Sequence, residues 1–315
     1  MKKGYWYPTD QNWFEFLSGA DDCAEVNYWQ PNGWSSIGRL ERGAPFFFKL
    51  KAPHNHIGGF GFLDRHAEAT AQTAWEAFGP ANGAADFDTM VRRIEKYRRI
   101  RAHDPSGPYR IGCIMVQVPV FFPRESWIPA PSSWDPHGRI KGMQVDLQNE
   151  ENDWVLRQCL ALARRLERTP LRPRVPIAAD GTDAVLRAII PRKGQGPFRM
   201  ALLDAYGQAC AVTEEHSEPV LDAAHIRPYA EDRTYELSNG LLLRTDIHRL
   251  FEKGFVTVTP DHRFLVSPRL KALWDNGRTY YELATRVGRI RLPKDEADWP
   301  DREALEWHSS QRFLA

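Results

Sequence analysis

The sequence predicts an α+β protein of two mixed domains joined by a basic connector, and three observations predict it. Up to about residue 150, short β-like runs alternate with helical stretches among many aromatic, Gly and Pro residues. The segment TPLRPRVPIAADG then sets three prolines among arginines, which reads as an extended, exposed connector. Beyond residue 198 the order becomes helix, strand, loop, strand, helix, hairpin. The expected division is 1–165, a linker at 166–197, and 198–315.

Each element has its own signal. FFFKL (46–50) and IGCIMVQVPVFF (111–122) are apolar runs of strand type. DTMVRRIEKYRRIRA (88–102) places Met90, Val91, Ile94 and Tyr97 at helical spacing, and ENDWVLRQCLALARRLER (151–168) forms the helix that closes the first half. Short strands around such helices suggest a small α+β or barrel-like domain. In the second half FRMALLDAYG (198–207) is an amphipathic helix stopped by Gly207. DAAHIRPYA (222–230) and NGLLLR (239–244) supply two short strands. TDIHRLFEKG (245–254) is a compact helix with Thr245 or Asp246 as N-cap and Gly254 as its stop. FVTVTPDHRFLVS (255–267) alternates as a hairpin turning at Pro260-Asp261.

Composition narrows the function classes. With 315 residues and 42% hydrophobic content there is material for real cores. A net charge of +1 neither demands nor excludes nucleic acid, so local charge must decide. The four cysteines, Cys23, Cys113, Cys159 and Cys210, form no CxxC pair. This argues against a disulfide framework or a cysteine-rich zinc knuckle and fits a reducing cytoplasm. No run approaches the roughly 20 apolar residues of a membrane span, and the N-terminus lacks the apolar core of a signal peptide. A soluble, cytoplasmic protein without membrane partners is expected.

His225, Asn239 and His248 stand at telling positions in the strand–loop–strand–helix unit. Phosphodiester hydrolysis needs an activated water, neutralised phosphorane charge and a stabilised leaving oxygen. A neutral histidine can take the water's proton near pH 7, and a second histidine can hold a divalent cation. An asparagine can pin the intervening loop through its backbone.

The motifs CAVT, AHIRPY, SNGLLL and DIHRLF, in that order within 198–270, resemble an HNH endonuclease of the ββα-metal type. The resemblance implies His225 as general base, Asn239 as loop-orienting residue, His248 as metal ligand, and Mg²⁺ or Mn²⁺ as cofactor. The chain departs from many such enzymes in two places. Ala224 stands where a metal-binding Asp or His often precedes the base, and only Cys210 remains of the usual zinc-binding cysteines. No structural zinc is therefore expected, and packing of Leu202, Leu203, Leu241, Leu243, Leu250 and Phe251 must hold the unit. Glu252, four residues after His248 on one helical face, is the chosen substitute ligand. Asp246 and Asp222 rank behind it, because alternation puts Asp222 on the face of Ala224 rather than that of His225.

The first half is similar to PUA-like domains of the EVE/ASCH kind through VNYWQP, LERGAPFFFKLKAP and IGGFGFL. Such domains are compact β-barrels that recognise modified bases, sometimes flipped from a duplex. Trp29, Trp34, Trp127 and Trp134 are candidates to stack on a flat base, and Asn27 and His54 to read its edge. Arg172 and Arg174 of the connector, with Arg227, Arg244 and Arg249, are candidates for the DNA backbone. A base reader tethered to a cutter of little sequence discrimination is the layout of a modification-dependent restriction endonuclease acting in phage defence. Modified cytosine is the first choice of mark, and cutting both strands calls for a homodimer or repeated nicking. The rival readings are an HNH nuclease gated by a small nucleotide or damaged nucleic acid, and a non-cleaving binder on a degenerate HNH scaffold.

Overall fold

A computed structural model describes residues 3–20, 23–33, 40–134, 142–167, 195–228 and 236–315. The chain divides into two compact units, Met1–Ile190 and Pro191–Ala315. Among the described residues no helix is long and apolar enough to cross a membrane.

The first unit is built on one seven-stranded sheet. Its strands are β1 (Lys3–Thr9), β2 (Glu25–Gln30), β3 (Pro45–Leu50), β4 (His56–Thr70), β5 (Arg110–Phe121), β6 (Ile128–Pro129) and β7 (Met143–Asp146). The order is β2-β5-β4-β3-β1-β7, with β6 beside β4. β1 and β3 run parallel; the other pairings are antiparallel. The helices are α1 (Gln11–Ser18), α2 (Ala71–Phe78), α3 (Phe87–Arg98) and α4 (Glu150–Glu167).

Alternation along β1 and β3 explains the layering. Tyr5, Tyr7, Phe46 and Phe48 fall in one apolar cluster, with Trp13, Phe14 and Leu17 of α1. Trp6 and Phe47 fall in the opposite cluster, with Val155, Leu156, Cys159 and Leu160 of α4. Central strands buried on both faces read as continuous apolar runs, which is why FFFKL shows no alternation. The expected barrel is not what forms. Among the described residues the end strands β2 and β7 do not pair with each other, so the sheet stays open. A barrel keeps one face of its sheet for a shared interior; here each face has its own helix to cover it. The glycine run of β4 serves the ladder: a Cβ on Gly59 would stand 2.2 Å from the Val120 carbonyl oxygen, so no side chain fits there.

The second unit places α5 (Gln195–Ala205) against the hairpin of β8 (Leu221–His225) and β9 (Gly240–Arg244), followed by α6 (Thr245–Glu252). A second hairpin, β10 (Val256–Val258) with β11 (Phe264–Val266), reverses through 259–263. Three further helices follow, α7 (Arg269–Trp274), α8 (Arg278–Val287) and α9 (Arg302–Trp307). Leu202, Leu203, Leu241, Leu243 and Phe251 share one core, and Leu250 packs against it partly buried. Leu283, Ile290 and Leu305 complete this core from a stretch that carries no sequence motif.

Cys210 is buried in the core of the second unit. Its buried sulfur accepts the N–H groups of Thr213 at 3.4 Å and Arg244 at 3.2 Å, tying the 210–215 turn to the end of β9.

His308 is a second buried polar anchor, 2% exposed. Its Nε2 donates to the Phe251 carbonyl at 3.1 Å, which leaves Nδ1 to accept the Thr257 hydroxyl at 2.9 Å. The ring stacks on Phe251 with centroids 3.6 Å apart. Burial, against a smaller opposing effect of the Phe251 carbonyl, pushes its pKa from 6.5 down to about 4. Between those values the unfolded chain binds a proton that the folded unit refuses, so stability is full above pH 6.5 and drains away toward pH 4. The loss amounts to about 3 kcal/mol at most. Denaturant unfolding at pH 7 and pH 4 should show this drop in wild type, and His308→Phe should lack that component. Equal pH slopes for the two proteins would remove it.

Candidate active site

The hairpin and helix gather the three residues of the HNH constellation. His225 ends β8, directly opposite Gly240 in the ladder. The Asn239 carbonyl, one residue before β9, accepts Ile226 N–H at 3.0 Å. The Asn239 side chain is buried and grips Arg227 twice. Its Oδ1 accepts Arg227 N–H at 2.8 Å, and its Nδ2 donates to the Arg227 carbonyl at 3.1 Å. One amide thus imitates a further rung of the ladder, and the backbone after His225 is held on both its donor and its acceptor.

His225 is half-buried, and its imidazole stacks on Phe198 of α5 with centroids 4.3 Å apart and planes 16° apart. Burial first, and then the nearby charge of His248, hold its pKa below the ordinary histidine value. It is therefore neutral at pH 7, the state a general base needs.

Ala224 is fully buried in the apolar core, paired with Leu241. A carboxylate there would lie among leucines, away from water and from any cation, at a cost of several kcal/mol. The alanine belongs to the packing of this hairpin.

His248 lies between two carboxylates. Its Nδ1 is 3.2 Å from Asp222 Oδ2, and its Nε2 is 3.4 Å from Glu252 Oε1. β8 pairs with β9 in continuous register, Asp222 opposite Leu243 and Ala224 opposite Leu241, so the two share a strand face as alternation predicts. Leu221 and Ala224 are buried, while Asp222, Ala223 and His225 are partly exposed. Helix α6 brings His248 to the Asp222 carboxylate. Glu252 is the looser partner, its side chain 63% exposed against 36% for Asp222.

Asp246 does not join them. Arg244 binds it through two bonds of 2.6 and 2.8 Å, and the Tyr280 hydroxyl donates to it at 3.2 Å. The Arg244 hydrogen bonds, outweighing burial, hold its carboxyl below the usual range. Neither Thr245 nor Asp246 caps α6; the N-cap position falls on Arg244, with no side-chain bond to the helix.

Of the arginines expected at the DNA backbone, Arg244 is paired to Asp246, and Arg227 donates to the Glu303 carbonyl at 3.2 Å. Arg249 is exposed on α6. Arg172 and Arg174 lie outside the described residues.

Asp222, His248 and Glu252 offer a nitrogen and carboxylate oxygens, donors that suit a hard divalent cation with water and phosphate completing its shell. The two carboxylates sit at opposite ring nitrogens, and among the described residues no three such side chains converge on one point. The donor set fits a cation held by the histidine and one carboxylate.

The base-recognition candidates of the first unit do not meet in one place. Trp29 lines a cavity of about 400 Å³ with Tyr7, Trp13, Tyr28 and Tyr97. Behind it Asn27 Nδ2 donates to Asn82 Oδ1 at 2.8 Å, while Trp29 Nε1 donates to the Asn82 carbonyl at 2.9 Å. Trp127 lines a different cavity across α1, next to Phe14 and Arg124, with His54 edge-on to its ring. Trp134 is not an exposed loop residue. It is 1% exposed, stacks on Trp6, and bonds Asn152 at 2.6 Å, so it belongs to the core and offers no face to a base. Trp34 lies outside the described residues.

The Trp29 cavity also holds charge that the sequence reading overlooked. Asp10 caps α1 by accepting Asn12 and Trp13 N–H, and it takes a short hydrogen bond from Tyr97. Lys51 approaches Asp10 to 3.7 Å, and Arg93 joins the lining. Burial alone would raise the Asp10 pKa, but the Tyr97 bond and Lys51 hold it below the usual range. Gln30, also on the lining, has a buried Oε1 with no hydrogen-bond partner among the described residues. The signal lay in YWYPTDQNW (5–13), where aromatics flank a capping aspartate just before a helix.

Among solved structures, the ASCH protein from Zymomonas mobilis is similar at 10% identity and TM-score 0.33, covering 50% of this chain and 94% of that one. Its Y47F mutant aligns at TM-score 0.31 and 10% identity over 49% of this chain and 95% of that one. A structure titled modification dependent TagI restriction endonuclease aligns at 12% identity and TM-score 0.27, over 93% of this chain and 76% of that one. No curated protein matches the chain. Residues 210–259 match the HNH_2 family model, described as HNH endonuclease, and His225, Asn239 and His248 all lie inside that HNH endonuclease segment.

Proposed function

We propose that this protein is a metal-dependent DNA endonuclease whose first unit reads a modified base, with modified cytosine as the first choice. The observation that carries the nuclease reading is the constellation itself. A neutral histidine ends a strand whose outgoing backbone is clamped by a buried asparagine, and it lies within electrostatic reach of a carboxylate-flanked histidine.

In this reading His225 accepts a proton from a water whose oxygen attacks phosphorus. The bond to the 3′ oxygen breaks, that oxygen takes a proton from solvent water, and the products are a 5′-phosphate and a 3′-hydroxyl. His248 and Asp222 would hold the divalent cation, with Glu252 orienting the other ring nitrogen. When bound, the cation supplies charge neutralisation at the phosphate and at the departing oxygen. Asn239 fixes the loop that leaves His225, so the backbone carrying the imidazole needs no reorganisation on reaction.

The reader assignment rests on the Trp29 cavity. Its volume suits one flat base, and its walls are aromatic. Unpairing and extruding a base costs a few kcal/mol, which stacking and hydrogen bonding in such a pocket offset. Lys51 and Arg93 on the same wall favour a second reading, in which a free nucleotide enters and gates cutting.

Matched duplexes carrying cytosine, 5-methylcytosine or 5-hydroxymethylcytosine, incubated with Mg²⁺ or Mn²⁺, test the proposal. Cutting of a modified duplex at least tenfold faster than the unmodified one is expected. Equal rates would remove the reader, and cutting only after addition of a nucleotide would establish the second reading.

A further inference from the structure

We propose that Phe198 is a positioning residue for phosphodiester cleavage: its ring, seated in a slot kept open by Gly240, fixes the plane of the His225 imidazole. The inference rests on the reading of His225 as general base.

Three observations carry it. Phe198 is 1% exposed, and its ring lies nearly parallel to the imidazole, 4.3 Å away and 16° off plane. Gly240 is the ladder partner of His225. A Cβ on Gly240 would stand 2.6 Å from Phe198 Cζ and 2.9 Å from a Leu202 methyl, so a side chain there would force the ring or its neighbour to shift. The glycine has an ordinary extended backbone (φ −135°), so its small size, not its conformational freedom, is what this position uses.

The physical consequence concerns one torsion. A histidine ring turns broadly about its terminal sp³–sp² bond, and nothing in a strand backbone restrains it. Phe198 covers one face of the imidazole, whose Nε2 is itself buried, so the plane of the ring is set before DNA arrives. Asn239 performs the matching task for the backbone, gripping the residue two positions beyond His225. Backbone and ring are thus fixed by separate elements, and misplacement of a reacting group by about 1 Å is enough to cost on the order of 100-fold in rate.

Phe198→Leu keeps an apolar side chain and removes the flat face. On the duplex that wild type cuts fastest, with Mn²⁺, kcat should fall roughly 10- to 100-fold while KM stays within about twofold. Leu283→Ala, which opens a gap in the same core away from the hairpin, controls for general loosening. Gly240→Ala attacks the slot from the other side and should reproduce the kcat loss, which keeps the idea testable if Phe198→Leu folds poorly. In a His225→Ala background, Phe198→Leu should leave the residual rate unchanged, because no imidazole remains to be held.

The proposal is overturned if Phe198→Leu loses no more kcat than Leu283→Ala, or if it lowers the residual rate of His225→Ala by the same factor as wild type. Wild-type cutting by His225→Ala would instead remove the base assignment, and this proposal with it.

Discussion

His225→Ala should cut its preferred DNA about 1,000-fold more slowly than wild type while binding it equally well. General-base catalysis by a positioned histidine contributes roughly 10²- to 10⁴-fold, and here the residue is already neutral, half-buried and pre-oriented. Removing the ring also uncovers Phe198, so a melting temperature a few degrees lower is expected; the comparison belongs well below it. Gel-based single-turnover cleavage and a separate binding titration give the two numbers. A His225→Ala protein that cuts within tenfold of wild type would end the assignment. One that loses cutting and binding together would place His225 in the interface rather than in the chemistry.

The second large effect concerns the cation. Asp222→Asn should weaken Mn²⁺ binding by about 100-fold, whereas Glu252→Gln should change it about threefold or less. Loss of a carboxylate ligand costs affinity on that scale, whereas an orienting carboxylate as open to water as Glu252 is readily replaced by solvent. The difference follows from exposure: Asp222 comes from the same strand as the base and is the more enclosed, while water competes freely for Glu252. Isothermal titration or the paramagnetic resonance of bound Mn²⁺ reads this without reference to activity. Should Glu252→Gln prove the more damaging, the cation sits at the other ring nitrogen and Asp222 becomes the orienting group. If neither changes uptake, His248 does not hold the metal.

Much of this molecule is legible in its sequence because local periodicity and capping chemistry act over a few residues. Helices α3 and α4 follow from apolar spacing, and the β8–β9–α6 unit from motifs that stand in order along one stretch of chain. What stays hidden depends on distant partners. Trp134 reads as a loop residue among prolines, yet Trp6 and Asn152 claim it from other elements. Asp246 looks available until Arg244 and Tyr280 are seen around it. Asp222 keeps the strand face that alternation gives it, but alternation does not say that α6 will bring His248 to that carboxylate. The open sheet is hidden for the same reason: strand runs show which segments pair well, but not whether the ends of the path meet.

Cys210 leads to a last consequence, about supply rather than shape. Its sulfur takes two N–H groups, and it is the only cysteine after residue 197. On the proposed reading the second unit needs its cation to cut but not to fold, so a chelator should stop cutting without lowering the melting temperature. Folding and arming would then be separate events, and the concentration of free divalent ion would decide when a folded, inert protein begins to cut.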